Sequence, residues 1–346
     1  MMRSIPQIDA NYLSQALGGL VESFQVESIG SGEGYMSDLY RITLQGRALP
    51  ASVILKRPSE DPEKLELATR FNSYGREQYF YRELSEHSAI RTPRCYLNAD
   101  HKFLLLLEDA GLWPVINVGA GASLAQAITA VSHLARLHAS HWASSPEAVA
   151  HFSAGFEAAA LDMSSFVIDR LGELPQSAPV QLMQQYASKS INYLPLFSAQ
   201  KQVFSHLDFR LDNMRISGDD LMLFDWGECS LAAPGFDLAY FLITSLTTRN
   251  RRTWEETLLD TYHRVLAANG IQYRRDELFN SYRLAVPPGF YLAALVLTRG
   301  HQDYGMTLAE RCLGAIDDHL PFIMKQFDHT TDFPRRTHAR SNTRTR

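Results

Sequence analysis

Residues 206 to 227 constrain this chain more than any other stretch. They read His206-Leu207-Asp208-Phe209-Arg210-Leu211-Asp212-Asn213, then the apolar run Leu221-Met222-Leu223-Phe224, then Asp225-Trp226-Gly227. A fold that uses them must set short loops and strands between helices, because helical period returns on both sides. Taken singly, each Asp or Asn is a turn-capping residue that any loop tolerates. As an ordered set they fit a hard cation, which takes oxygen ligands and keeps part of its water. Asn213 and Asp225 are the candidate magnesium ligands. Asp208 is the candidate acceptor for the proton of an attacking hydroxyl in phosphoryl transfer from ATP.

Two further pieces lie upstream. Ser52-Val53-Ile54-Leu55-Lys56 is an apolar strand closed by a lysine, and such an ammonium reaches α- and β-phosphates when an acid holds it. In the charged stretch that follows, Tyr74, Glu77, Tyr81 and Leu84 recur at helical spacing. Glu77 therefore lies in an apolar stripe, where a carboxylate needs a cationic partner. Glu83 is the competing acid, off that stripe. Gly30, Gly32 and Gly34 in Gly30-Ser31-Gly32-Glu33-Gly34 allow backbone N–H groups to approach a phosphate. A Gly-rich hairpin alone is weak evidence, and the Walker and dinucleotide patterns are absent. Its place ahead of the Lys56 strand makes it the candidate phosphate cover.

Ile8 to Val21 has helical spacing, and Phe24 to Ile29, Leu39 to Leu44 and Ser52 to Arg57 read as strands. Pro62 to His87 turns helical, and Cys95 to Leu97 and Lys102 to Leu107 read as two more strands. The expected fold is α+β: an N-terminal antiparallel sheet lobe with one helix over residues 1–110, then a mainly helical C-terminal lobe over 111–327. The first would bind nucleotide, and the second would carry the catalytic loop and acceptor pocket. The character changes near Asp109 to Val118, where Gly111 and Pro114 interrupt the periodicity. Residues 328–346 read as a disordered basic tail.

With 346 residues the chain can build two cores, and a net charge of -5 argues against nucleic acid as a partner. The three cysteines, Cys95, Cys229 and Cys312, are too scattered for a zinc site or a disulfide framework. The N-terminus lacks a signal-peptide apolar core, and no apolar run spans a bilayer. A cytoplasmic protein without a membrane partner is expected, as a monomer or homodimer.

The whole series resembles the aminoglycoside phosphotransferase and choline kinase superfamily, which shares the bilobal protein-kinase-like fold. Four stretches make it similar to the ecdysteroid-kinase-like and CHK-kinase-like branch: residues 32–41, 76–84, 106–109 and 134–142. They read GEGYMSDLYR, REQYFYREL, LLED and LARLHASHW. The resemblance implies an ATP- and magnesium-dependent kinase of a small-molecule hydroxyl compound. It implies Asp208 as the catalytic Asp, Asn213 and Asp225 as metal ligands, and Lys56 at the phosphates. Adenine would dock on the backbone around Glu108 to Ala110. Two departures stand out: Leu207, where relatives usually have Gly, and Trp226-Gly227-Glu228, where relatives often have Trp followed by Gln or Glu.

Other residues have blander readings. His138 falls on an apolar helix face and reads as a packed histidine, and His206 as structural. Asp237 reads as a helix N-cap, or, by the resemblance, a buttress of the catalytic loop. Arg210 either neutralises transferring phosphate or pairs with Asp212. Tyr240, Phe241, Phe290 and Tyr291 line an apolar acceptor pocket or form core, and Asp317-Asp318 is an acidic pair in the last helices, thin evidence for an aminoglycoside acceptor. The competing reading of the whole is a nucleotide-binding pseudokinase or regulatory module without turnover. A protein kinase is disfavoured, because Pro234-Gly235 follows Trp226 too closely for an activation loop.

Overall fold

Alternating apolar residues in the first part of the chain build a five-stranded antiparallel sheet. The computed structural model describes residues 8–29, 36–99, 102–111, 113–143, 151–152, 156–188, 196, 199–298 and 302–327. Helix α1 (Ala10–Leu17) is followed by β1 (Leu20–Ile29), β2 (Ser37–Arg47) and β3 (Ser52–Pro58). Helices α2 (Pro62–Arg70) and α3 (Ser73–Tyr79) come next, then β4 (Cys95–Asn98) and β5 (Leu105–Glu108), in the sheet order β1-β2-β3-β5-β4.

The two-residue period of the strands divides their side chains between two cores. Val53, Leu55, Leu104 and Leu106 join Leu13, Tyr40 and Ile42 on one side. Leu105, Leu107 and Ile54 turn to the other side, against the main core. Lys56 is two residues from Ile54, so it points the same way, towards α3.

Where the sequence suggested one helical stretch from Pro62 to His87, the backbone breaks. Asn72 takes a left-handed conformation, φ +53°, between α2 and α3, and a wider turn over Phe80–Leu84 continues α3. Asn is among the few side chains that tolerate this conformation, so the break falls where the sequence can accept it.

The rest is mainly helical: α4 (Leu124–Ser140), α5 (Phe156–Gly172), α6 (Ala178–Ser188), α7 (Gly235–Ser245), α8 (Thr248–Ala268), α9 (Arg275–Ala285), α10 (Phe290–Thr298) and α11 (Gln302–Phe327). Ser123 starts α4 with a reciprocal capping box to Gln126, which satisfies backbone donors at the helix start. Four short strands interrupt the helices: β6 (Val203–Ser205), β7 (Met214–Ser217), β8 (Asp220–Leu223) and β9 (Ser230–Ala232), pairing β6 with β9 and β7 with β8. Every residue of α7 except Phe236 is buried, so this helix is the centre of the helical part. Gly30, Gly32 and Gly34, and residues 328–346, lie outside the described residues.

Candidate active site

Lys56 leaves β3 between two carboxylates. Its ammonium lies 2.7 Å from Glu77 Oε2 and 2.7 Å from Asp225 Oδ1. Glu77 projects from α3 and is buried, and Glu83 instead makes a surface contact with Arg82. Burial works against the Lys56 ammonium, but the charges of Asp225 and Glu77 outweigh it and raise its pKa. Burial likewise pushes the Glu77 carboxyl up, to about 7, against the opposing pull of Lys56. The two shifts compete, since a proton on Glu77 would loosen its hold. With Asp225 on the same ammonium, charged Lys56 is the state that persists.

Asp225 stands at the end of the β7–β8 hairpin in a left-handed conformation, φ +67°. Its side chain remains 51% exposed. Lys56 holds its pKa below the usual carboxylate range. The next residue, Trp226, stacks on Phe80 with ring centroids 3.7 Å apart, and Ser73 Oγ donates to Glu228 at 2.8 Å. The loop after Asp225 is therefore anchored to the element that carries Glu77.

Asp208 lies in the loop between β6 and β7. Asn213 Nδ2 donates to Asp208 Oδ2 at 2.6 Å and to the Asp208 carbonyl at 2.9 Å. Oδ1 of Asp208 accepts from Arg210 Nε and from Tyr240 OH, each at 2.9 Å. Burial raises the Asp208 pKa, with Arg210 opposing. Arg210 also pairs with Asp212, so this buried guanidinium serves both carboxylates.

The backbone of this loop is fixed from below. Leu207 is left-handed, φ +63°, and its N–H donates to Asp237 Oδ1 at 2.8 Å. The N–H of His206 donates to Asp237 Oδ2 at 2.7 Å. His138, fully buried, lies 3.4 Å from Asp237 Oδ2 and 2.6 Å from the Tyr262 hydroxyl. His206 accepts from the Asp208 N–H at Nδ1 and approaches the Phe224 carbonyl through Nε2, while burial lowers its pKa. It is a neutral strut, fully employed by the backbone.

At the end of β5, Glu108 binds Arg91 and the Arg94 N–H, and the Ala110 carbonyl accepts from Trp113 N–H. Asp109 between them accepts from Arg41 Nε at 2.6 Å and Ser52 Oγ at 2.7 Å, which ties the connection to β2 and β3. Asp318 is occupied by Arg251 and Arg252. Tyr291 meets Ser164, and Phe241 and Phe290 are core.

Tyr240, expected as acceptor-pocket lining or core, is the residue whose contact with Asp208 sequence reasoning missed. A signal was available: Asp237, Tyr240, Thr244 and Ser245 are polar residues in a helix that is otherwise apolar and buried. Buried polar groups require partners, and a stripe of them on one helix points to a shared one.

The family model for ecdysteroid kinase-like proteins matches residues 31–272. The chain belongs to this family. The family match includes every described residue of the constellation from Lys56 to Asp225. Solved structures share its fold. A choline kinase from Cryptosporidium parvum Iowa II superposes with a TM-score of 0.56 at 10% identity, covering 93% of this chain and 94% of that one. A choline kinase from Streptococcus pneumoniae gives 0.55 at 17%, covering 89% and 97%. A ternary complex of an APH(2")-IIa enzyme with streptomycin and ATP gives 0.53 at 15%, covering 92% and 97%. Curated protein sequences gave no significant match. These likenesses establish the kinase-like fold, with its sheet-rich first part and helical second part.

Proposed function

We propose that this chain is an ATP- and magnesium-dependent phosphotransferase that moves the γ-phosphate to a hydroxyl group of a small molecule. The observation that carries this reading is the convergence on Lys56: one ammonium is fixed by Glu77 and Asp225, and Asp225 still offers an exposed carboxylate edge. Ecdysteroid kinase-like membership and the shared fold of choline kinases and aminoglycoside phosphotransferases support the reaction class. In this reading residues 1–110 hold nucleotide, and residues 111–327 hold the catalytic loop and acceptor.

The donor set fits magnesium. No cluster of three His, Cys, Asp or Glu among the described residues is arranged for a metal. The cation would therefore take Asp225 Oδ2 and Asn213 Oδ1, with phosphate oxygens and water completing its shell. Asn213 is suited to this role because its Nδ2 is already committed to Asp208. When bound, magnesium would neutralise charge on the β- and γ-phosphates. Lys56 would do the same for the α- and β-phosphates, Gly30, Gly32 and Gly34 would cover them, and the Glu108 to Ala110 backbone would dock adenine.

Asp208 aims the acceptor. The hydroxyl oxygen forms a bond to the γ-phosphorus, and the bond from that phosphorus to the bridging oxygen breaks, with ADP leaving on the electron pair. The hydroxyl proton passes to Asp208. Burial of Asp208, which raises its pKa, makes it a better proton acceptor than an exposed carboxylate.

The test is ADP release from Mg-ATP across aminoglycosides, choline, sterols, macrolides and sugars. Acceptor-dependent release is expected in the natural protein, with a loss of at least about 100-fold in Asp208→Ala. Nucleotide binding without acceptor-dependent release, unchanged by Asp208→Ala, would establish a regulatory module instead.

A further inference from the structure

Each oxygen of an ionised carboxylate offers about two lone-pair directions, so Asp208 has about four places to accept a hydrogen bond. Arg210 Nε and Tyr240 OH both donate to Oδ1, each at 2.9 Å, and Asn213 Nδ2 donates to Oδ2 at 2.6 Å. Among the described residues this fills Oδ1 and leaves one direction, on Oδ2. Tyr240 is buried on α7, three residues beyond Asp237 and therefore on the same helix face. Asp237 on that face binds the His206 and Leu207 N–H groups, and Ser245 Oγ accepts from Leu211 N–H at 3.2 Å. One buried helix thus grips the loop at 206, 207, 208 and 211, and Tyr240 is the only one of these grips that reaches the Asp208 carboxylate.

We propose that Tyr240 is a positioning residue of the phosphoryl-transfer reaction: its hydroxyl, with Arg210, occupies Asp208 Oδ1 and so reserves Oδ2 as the sole acceptor of the substrate proton. The inference deepens the phosphotransferase reading and rests on it. Tyr240 acts through Asp208 and takes no proton itself. Burial and the neighbouring Asp208 raise its own pKa well above that of free tyrosine, so it stays a donor throughout the working pH range. The charged and titratable groups facing Asp208 are Arg210, Asp225, His206, Tyr240 and Glu228, and Asn213 donates to its Oδ2. Among these, Tyr240 alone can lose its donor while the rest of its ring stays in place.

Tyr240→Phe removes the hydroxyl and keeps the ring against Phe236, whose centroid is 6.3 Å away. Two readouts are taken on the full chain. The first is the carboxyl-carbon NMR titration of Asp208, assigned by the signal lost in Asp208→Asn, which needs no substrate. A hydrogen bond to the charged form lowers a carboxyl pKa, so its removal moves the midpoint up by about one pH unit. The second is ADP release from Mg-ATP with the panel above. The acidic limb of kcat/KM moves up with the midpoint and kcat falls about tenfold, with KM for ATP unchanged within about twofold. A purely structural tyrosine would lower the melting temperature and leave both the midpoint and the acidic limb in place, and that result overturns the proposal. Should Tyr240→Phe fold poorly, 3-fluorotyrosine at position 240, a stronger donor, must move the midpoint down. A shifted midpoint with no Asp208-dependent ADP release from any acceptor would sink the phosphotransferase reading and the catalytic purpose of this hold. An unmoved midpoint sinks the hold itself.

Discussion

Leu207 occupies the left-handed region, φ +63°, where a side chain bearing a Cβ costs about 1–2 kcal/mol. The two hydrogen bonds that the His206 and Leu207 N–H groups donate to Asp237 hold it there. Leu207→Gly and Leu207→Ala both delete the side chain, but only glycine relieves the backbone. Urea unfolding should find the glycine variant more stable than the alanine variant by about 1 kcal/mol, and the reverse order would mean that the loop is not strained. At Lys56 the argument is electrostatic. Lys56→Met leaves Glu77 buried without its cation, at a cost that approaches about 3–5 kcal/mol only once Glu77 is ionised. The sign with pH follows from Glu77, whose carboxyl already lies near 7 with Lys56 lowering it, and goes higher without Lys56. A folded pKa above the unfolded 4.5 means that the folded state gains the proton first. Both proteins lose stability alike from pH 4.5 up to about 7, so the deficit grows only above about 7, as Glu77 ionises in the natural protein but not yet in the variant. A deficit that stays constant from pH 5 to pH 8 would show that Glu77 is not the stranded charge.

Helix α7 shows how one element can serve both core and chemistry. Its apolar residues, Leu238, Phe241, Leu242 and Ile243, are fully buried, and Asp237, Tyr240 and Ser245 bind the loop that carries Asp208. Its start packs against α9 so closely that a Cβ on Gly235 would stand 2.3 Å from both Ser281 C and Tyr282 N. Backbone cannot swing aside as a flexible side chain can, so Gly235→Ala is expected to lose about 1–3 kcal/mol. It would also loosen the loop above it. Thermal unfolding and the Asp208 titration together check this, and a variant as stable as the natural protein would show that α7 and α9 can part at no cost.

At the scale of the whole molecule, the two parts of the chain supply different charges to one place. The sheet part brings Lys56 and Glu77, the helical part brings Asp208, Asn213 and Asp225, and the Phe80–Trp226 stack and the Ser73–Glu228 hydrogen bond fasten them together. A ligand that bridges both parts stabilises the folded state by mass action, about 2.7 kcal/mol at 100 times its Kd. Mg-ATP should therefore raise the melting temperature by roughly 5 °C, and ATP with a chelator by less. In Asp225→Ala the difference between the two should vanish. A magnesium increment that survives in that variant would place the cation elsewhere.

The sequence by itself determined the strand that carries Lys56 and the helical stripe holding Glu77, because periodicity decides which way a side chain faces. It also brought Asp208 and Asn213 together, because five residues of loop cannot separate them far. The tertiary structure decided what depends on which faces meet. It broke the expected helix at Asn72 and committed Asp318 to two arginines. It placed Arg210 on both Asp208 and Asp212, where the sequence offered phosphate neutralisation or a pairing with Asp212 alone. It also set Tyr240 against a carboxylate 32 residues earlier in the chain. Local spacing carries no information about such a contact, since a buried tyrosine that binds nothing and one that binds Asp208 occupy the same helical period.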